Sequence, residues 1–119
     1  MTRYAPQQVS QRSGLSLDTL RYYERIGLIP PVARDRGGRR VYGEEHLGWL
    51  EALNCLRRSS MPVREMQRYV ALAHAGGHTA AERAELLEHH RETILQRIAD
   101  LREAVAVVDR KIEYYRSRA

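Results

Sequence analysis

Four side chains near the start of this chain stand at helical spacing: Asp18, Arg21, Tyr22 and Arg25 occupy i, i+3, i+4 and i+7 and so share one helix face. That face is polar. A guanidinium on it can reach the two acceptors on the major-groove edge of guanine, and a phenol can bond a phosphate or a base edge. Ser16 and Thr19 sit at the start of the same segment and complete the group. A second set follows, in which Arg34, Arg36, Arg39 and Arg40 surround Gly37-Gly38. Guanidinium groups on so flexible a tip can straddle a phosphate backbone or approach a minor groove. Taken singly, each set also reads as an ordinary solvated surface.

The charge distribution favours the first meaning. The formal net charge is +5, and residues 1–42 hold eight arginines against Asp18, Glu24 and Asp35, which accounts for the whole excess. Residues 43–119 carry twelve charges of each sign and cancel. A positive module confined to the first third of the chain suits an anionic partner such as nucleic acid.

Other chemistry is thinly represented. Cys55 is the only cysteine, so an intrachain disulfide and a multi-thiolate metal site are both excluded, and a reducing cytoplasm is the expected compartment. His74 and His78 are separated by Gly76-Gly77, and the adjacent His89 and His90 diverge on a helix, so no metal site is expected. With no nucleophile–base set and no Gly-rich phosphate loop, neither an enzymatic activity nor a cofactor is expected. No apolar run approaches the ~20 residues needed to span a bilayer, and the polar, Pro-interrupted N-terminus does not read as a signal sequence.

The elements that must position these residues can be read from caps and periodicity. Pro6 opens a short helix over Gln7–Ser13 that Gly14 ends, and Ser16 caps a second over Leu17–Arg25 that closes near Gly27. Two short helices joined through a Gly-containing turn are the pattern of a helix-turn-helix. Pro30-Pro31 forbid continuation, and Val32–Tyr42, turning at Asp35-Arg36-Gly37-Gly38, predicts a β-hairpin, a wing. A third helix runs from Gly43 or Glu44 to about Arg58, with Leu47, Trp49, Leu50, Ala52, Leu53 and Leu56 as its core face. Val63–Ala75 forms a fourth, stopped at Gly76-Gly77, and Thr79-Ala80-Ala81-Glu82 has the form of a capping box opening a fifth.

In that last helix Ile94, Ile98, Leu101, Val105, Val108, Ile112 and Tyr115 recur at alternating spacings of 4 and 3, a heptad seam whose register extends back through Arg91 and Leu87. A helix from Ala80 to Tyr115 would be about 54 Å long at 1.5 Å per residue. The small N-terminal unit cannot cover that length, so a second copy of the chain is the simplest partner, the alternative being a helix folded back on its own domain. The expected fold is all-α with a small β-hairpin wing, divided into a winged helix-turn-helix DNA-binding domain over 1–75 and a coiled-coil dimerisation helix over 76–119.

The run Thr19-Leu20-Arg21-Tyr22-Tyr23-Glu24-Arg25-Ile26-Gly27-Leu28-Ile29-Pro30-Pro31, followed by Gly38-Arg39-Arg40-Val41-Tyr42, closely resembles the signature of the MerR family of bacterial transcription regulators. The resemblance covers essentially the whole chain. It implies an antiparallel coiled-coil homodimer that binds double-stranded promoter DNA and distorts it so that RNA polymerase holoenzyme can engage. It also implies that Arg21, Tyr22 and Tyr23 contact DNA from the recognition helix and Arg40 from the wing. Tyr42, the more structural of the set, and Arg64, near the start of the fourth helix where backbone N–H groups favour anions, are added as interface candidates. Family members commonly carry an apolar or aromatic residue where this chain has Arg39.

Metal-sensing members carry several cysteines and multidrug-type members a separate ligand-binding domain, and neither is expected here. The segment Leu53-Asn54-Cys55-Leu56-Arg57-Arg58 resembles instead the subgroup that responds to aldehydes, electrophiles or nitrosative stress through one cysteine in the third helix. Cys55 therefore has two readings, a sensor thiol and an inert small hydrophobe. The contrasting readings of the whole chain are a coiled-coil interaction module with a basic head and a constitutive DNA-bending protein without an effector.

Overall fold

The computed structural model describes residues 2–119, which fall into two compact units that meet between Arg83 and Ala84. The first contains four helices, α1 (Pro6–Ser13), α2 (Leu17–Arg25), α3 (Glu44–Arg58) and α4 (Val63–Ala75), a hairpin of β1 (Ala33–Arg34) and β2 (Arg40–Val41), and the start of α5 (Ala80–Arg116). The all-α fold with a small wing and a long last helix is thus the one expected.

Local chemistry sets each boundary. Pro6 stands in the first turn of α1, where its missing N–H costs nothing, and the Gln8 side chain accepts the Ala5 N–H at 2.8 Å. Gly14 ends α1 at a φ of 74°, in the left-handed region that a side chain disfavours. The Ser16 hydroxyl accepts the Thr19 N–H at 3.1 Å and so caps α2. Val9 of α1, Leu20 and Tyr23 of α2, Leu50 and Leu53 of α3, and Met66 and Val70 of α4 turn inward and form the core with Leu15, Leu28, Ile29 and Met61.

The hairpin pairs Ala33 with Val41 and Arg34 with Arg40. Asp35 shapes its turn, one carboxylate oxygen accepting the N–H groups of Gly37 at 2.9 Å and Arg39 at 3.0 Å. One backbone pairing was not foreseen: Tyr4 forms an isolated antiparallel bridge to Tyr42, with N–H to carbonyl distances of 2.8 and 2.9 Å in the two directions. Tyr42 is thereby fixed next to α1's N-terminus and is one of the most deeply buried side chains.

Two expectations need correction. Ala52 lies exposed, and the core face of α3 is completed instead by His46, which is buried. The capping box at Thr79-Ala80-Ala81-Glu82 does not form: a 3-10 turn over Gly77–Thr79 leads straight into α5, the Thr79 N–H bonds the Gly76 carbonyl, and the Thr79 hydroxyl is turned back to the Leu72 and Gly76 carbonyls.

The second unit, Ala84–Ala119, is the continuation of α5, helical to Arg116. Leu87, Ile98, Leu101, Val105, Val108, Ile112 and Tyr115 of the heptad seam all lie exposed, Leu101 at 66% and Tyr115 at 63%. No helix among the described residues is long and apolar enough to cross a membrane.

Candidate nucleic-acid interface

The outer face of α2 carries the first cationic set as the spacing implies. Asp18, Thr19, Arg21, Tyr22 and Arg25 line one open depression of about 530 Å³. Within it Arg21 pairs with Asp18 at 3.5 Å, both side chains well exposed, and the Arg25 guanidinium stacks 5.3 Å from the centre of the Tyr22 ring. Tyr22 itself is 39% exposed. An exposed ion pair of this kind contributes about 0–1 kcal/mol, so Arg21 can exchange Asp18 for a base edge at little cost. Ser16 lies beside this group, but its hydroxyl is occupied as the cap of α2 and in a 2.9 Å bond to the Thr19 hydroxyl.

The second set is carried by the hairpin. Arg34, Arg36 and Arg39 are exposed. Arg34 donates through Nη1 to the Gly38 carbonyl at 2.8 Å, stiffening the tip, and Gly38 adopts a φ of 78° there. Arg39 and Arg40 also border a depression of about 420 Å³ against the N-terminal segment Arg3, Tyr4 and Ala5. Arg40 differs from the other three, because it is half-buried and ion-paired with Glu24 of α2. The same carboxylate accepts the Val32 N–H at 2.9 Å through its other oxygen. Glu24 therefore joins recognition helix, hairpin entry and hairpin strand, a role that nothing in its sequence surroundings announced.

Two predicted contacts do not reach the surface. Tyr23 is 3% exposed and Tyr42 1%. Tyr23 points into the core because it follows Tyr22 by one residue, about 100° around the helix, and packs its ring 6.3 Å from that of Tyr22. Its hydroxyl is buried without a hydrogen-bond partner among the described residues. Burial pushes its pKa up, against a smaller downward pull from Arg57. Tyr42 is held by the Tyr4 bridge and packs edge-on against the His46 ring at 5.5 Å; burial likewise raises its pKa, opposed by Arg40 and Arg21. In the free chain neither side chain is presented at the surface with Arg21 and Tyr22. Arg64 is exposed in the first turn of α4, as expected.

Three positioning residues went unread in the sequence. Tyr4 donates its hydroxyl to Glu44 at 2.5 Å, with the Arg12 guanidinium over its ring, and so ties the N-terminal segment to α3. His46 accepts the Gly43 N–H on Nδ1 at 3.0 Å, which places its proton on Nε2, and Nε2 donates toward the Pro30 and Pro31 carbonyls at 3.1 and 3.3 Å. The imidazole thus holds the diproline link that aims the wing. Gln67 of α4 donates to the Ile26 carbonyl at 3.0 Å, fastening the end of α2.

On α3, Cys55 is exposed and borders an open depression of about 460 Å³ with Glu51, Asn54, Arg58 and Ser59.

Comparison with known proteins places these features in context. Residues 4–72 match the family described as MerR HTH family regulatory protein, and residues 48–113 match the family described as MerR, DNA binding. The chain is 38% identical over 89 residues to the HTH-type transcriptional regulator AdhR of Bacillus subtilis; the match covers 75% of this chain and 64% of AdhR, so the chain spans less than two thirds of that relative. Its fold is similar to that of a MerR family transcriptional regulator from Listeria monocytogenes, with a TM-score of 0.87 and 41% identity, covering 94% of this chain and 85% of the other. It is also similar to HiNmlR, a MerR family regulator lacking the sensor domain and bound to promoter DNA in its crystal structure, with a TM-score of 0.85, 29% identity and coverage of 98% and 92%.

Proposed function

Because the chain belongs to the MerR family of HTH regulatory proteins, we propose that it is a sequence-specific transcription regulator that grips promoter DNA as a homodimer and distorts it to control transcription. The observation that carries this reading is the convergence of Asp18, Thr19, Arg21, Tyr22 and Arg25 on one open face of α2, beside a hairpin bearing exposed Arg34, Arg36 and Arg39. HiNmlR, bound to promoter DNA, supports it. Arg21 reads a base edge, Tyr22 and Arg25 contact base or backbone, and the wing arginines with Arg64 neutralise phosphates.

Residues 1–75 serve DNA binding and 76–119 serve dimerisation through Leu87, Ile94, Ile98, Leu101, Val105, Val108, Ile112 and Tyr115. Two heads tied through such a seam meet half-sites at a fixed separation. Binding then requires the intervening duplex to bend or untwist, at about 1–6 kcal/mol or more, offset by contacts available only on the distorted DNA. RNA polymerase holoenzyme on the promoter is the partner that reads the distortion, in the cytoplasm. Regulation of this kind assigns the chain no catalytic step and no cofactor.

The test is selection of bound sequences from a random duplex pool, followed by footprinting and a salt titration of affinity. Inverted half-sites and a steep loss of affinity with salt are expected. Binding with no preference over random duplex would overturn the proposal and leave a coiled-coil interaction module.

The finer reading concerns the signal. Exposure of Cys55 beside an open depression and the similarity to AdhR support a thiol that reacts with an electrophile such as an aldehyde or nitrosothiol. Cys55→Ser is expected to keep operator binding and lose the transcriptional response to such reagents. An intact response in that variant would leave a constitutive DNA-bending protein.

A further inference from the structure

The link between α4 and α5 is more tightly tied than a helix junction requires. Gly76 lies at φ 122° and ψ 179°, a backbone region essentially closed to other residues. A Cβ added there would stand 3.4 Å from Nδ1 of His78. Three residues later Thr79 is 4% exposed. Its hydroxyl lies 2.5 Å from the Leu72 carbonyl and 2.8 Å from the Gly76 carbonyl, and its single proton serves these two acceptors in turn. The same oxygen accepts from Nε of Arg83 at 3.0 Å, and Nη2 of Arg83 also donates to the Gly76 carbonyl at 3.4 Å.

This is not a helix cap. A capping hydroxyl accepts a backbone N–H from its own helix, whereas the Thr79 hydroxyl donates backward to α4 and the glycine link and accepts forward from the first turn of α5. One oxygen thereby fastens the end of one helix, the link and the start of the next. We infer that Thr79 and Arg83 are positioning residues that fix the direction in which α5 leaves α4 and so set the half-site spacing the dimer accepts. The inference rests on the dimeric, DNA-gripping reading above.

The lever is long enough to matter. At 1.5 Å per residue the midpoint of a 37-residue helix lies about 28 Å from its base. An angular slack of about 5° at the base displaces that point by about 2.4 Å, comparable to the ~3.4 Å rise of one base pair. Inserting one base pair also rotates one half-site by about 35° relative to the other. A stiff junction rejects that change; a loose one follows part of it.

The experiment measures affinity of the full-length chain for its selected operator and for versions with one base pair added to or removed from the spacer. The wild type is expected to lose tenfold or more on either change. Thr79→Val removes the hydroxyl at nearly constant shape, and its penalty is expected to fall below threefold, with melting temperature and sedimentation still those of a folded dimer. Thr79→Ser restores the hydroxyl and the wild-type spacing profile. Arg83→Met, whose side chain has no donor, flattens the profile as Thr79→Val does and stands in if the valine variant fails to fold. A wild type indifferent to spacing would sink the rigid-dimer reading itself, and with it the inference. A spacing-sensitive wild type matched by equally sensitive, folded Thr79→Val and Arg83→Met variants would sink the inference alone.

Discussion

Replacing Tyr23 by Phe separates a core role from a DNA-contact role at the position where sequence and structure disagree most. The ring is 97% buried and the hydroxyl has no partner among the described residues. A buried polar group left unsatisfied costs about 1–3 kcal/mol. Deleting the hydroxyl while keeping the ring removes that cost without opening a cavity, so Tyr23→Phe should stabilise the chain by about 1 kcal/mol, the low end of the range. For a unit of this size that raises the melting midpoint by about 4–8 °C, provided concentration is matched, since dimerisation makes the midpoint concentration-dependent. Operator affinity should stay within twofold.

Alkaline pH gives an independent readout of the same residue. Burial raises the folded-state pKa of Tyr23 above the ordinary 10.0, so above about pH 10 the unfolded chain releases a proton that the folded chain keeps. The folded state then loses stability as pH rises from 10 toward the raised pKa. Tyr42 adds a loss of the same sign. The phenylalanine variant should lose less stability across that window than the wild type. A folded variant destabilised by 1 kcal/mol or more, or one binding operator fivefold more weakly, would show that the hydroxyl has a partner and refute the argument.

The remaining expectations concern the interface, the seam and one strained residue. Arg21→Ala should abolish discrimination between operator and random duplex, while Arg36→Ala should weaken binding to both alike and reduce the salt slope by about one; equal, sequence-independent losses measured by anisotropy would contradict that division. Leu101→Asp, at an exposed seam position, should convert the dimer to monomer in sedimentation at micromolar concentration while the helical spectrum of the first unit persists; an unchanged sedimentation coefficient would remove the seam from the interface. Ser60 holds a φ of 67° at the end of α3. Ser60→Gly should relieve strain of about 1–2 kcal/mol, less the extra backbone freedom glycine loses on folding, for a net gain of about 0.5–1 kcal/mol in denaturant unfolding. No gain there would mean the serine is not strained.

What could be read beforehand was what neighbours in sequence decide. The bounds of α2 and α4 and the core of the hairpin follow from Ser16, Gly27, Pro30-Pro31, Gly37-Gly38 and Gly76-Gly77, each acting within a few residues, and the exposed seam follows from its period. The face of α2 was also legible, because spacing alone puts Asp18, Arg21, Tyr22 and Arg25 together. Tyr23 was misread for a local reason: a polar tip on an aromatic ring does not say which way the ring turns, and its place next to Tyr22 in a recognisable motif drew both into one role. Tyr4, Glu24 and His46 were missed because their partners Tyr42, Val32, Arg40, Glu44 and Pro30 are eight to forty residues away, and no periodicity encodes such pairings. Thr79 carried the right signal for a cap and the wrong inference, since its N–H bonds the Gly76 carbonyl and its hydroxyl is turned back to the Leu72 and Gly76 carbonyls.

The cations that face outward fall into two classes that a count of arginines cannot distinguish. Arg21 and Arg25 are held only by exposed neighbours, a carboxylate and an aromatic face, and an exposed pair of either kind is worth at most about 1 kcal/mol. Such groups are ordered enough to be presented and weakly enough held to be released, so DNA can replace their partners without a large desolvation penalty. Arg40 is held by a half-buried carboxylate that also accepts a backbone N–H, and leaving that carboxylate unpaired would cost several times more. We propose on this ground that Arg40 keeps Glu24 on binding and acts by fixing the angle between wing and recognition helix, with any phosphate contact made by the remaining edge of its guanidinium. If so, Glu24→Ala should disturb DNA affinity as much as Arg40→Ala does, although an acid is removed from a surface that binds a polyanion. Electrostatics alone predicts the opposite sign, and a glutamate variant that binds operator more tightly than the wild type would return Arg40 to the ranks of the simple phosphate ligands.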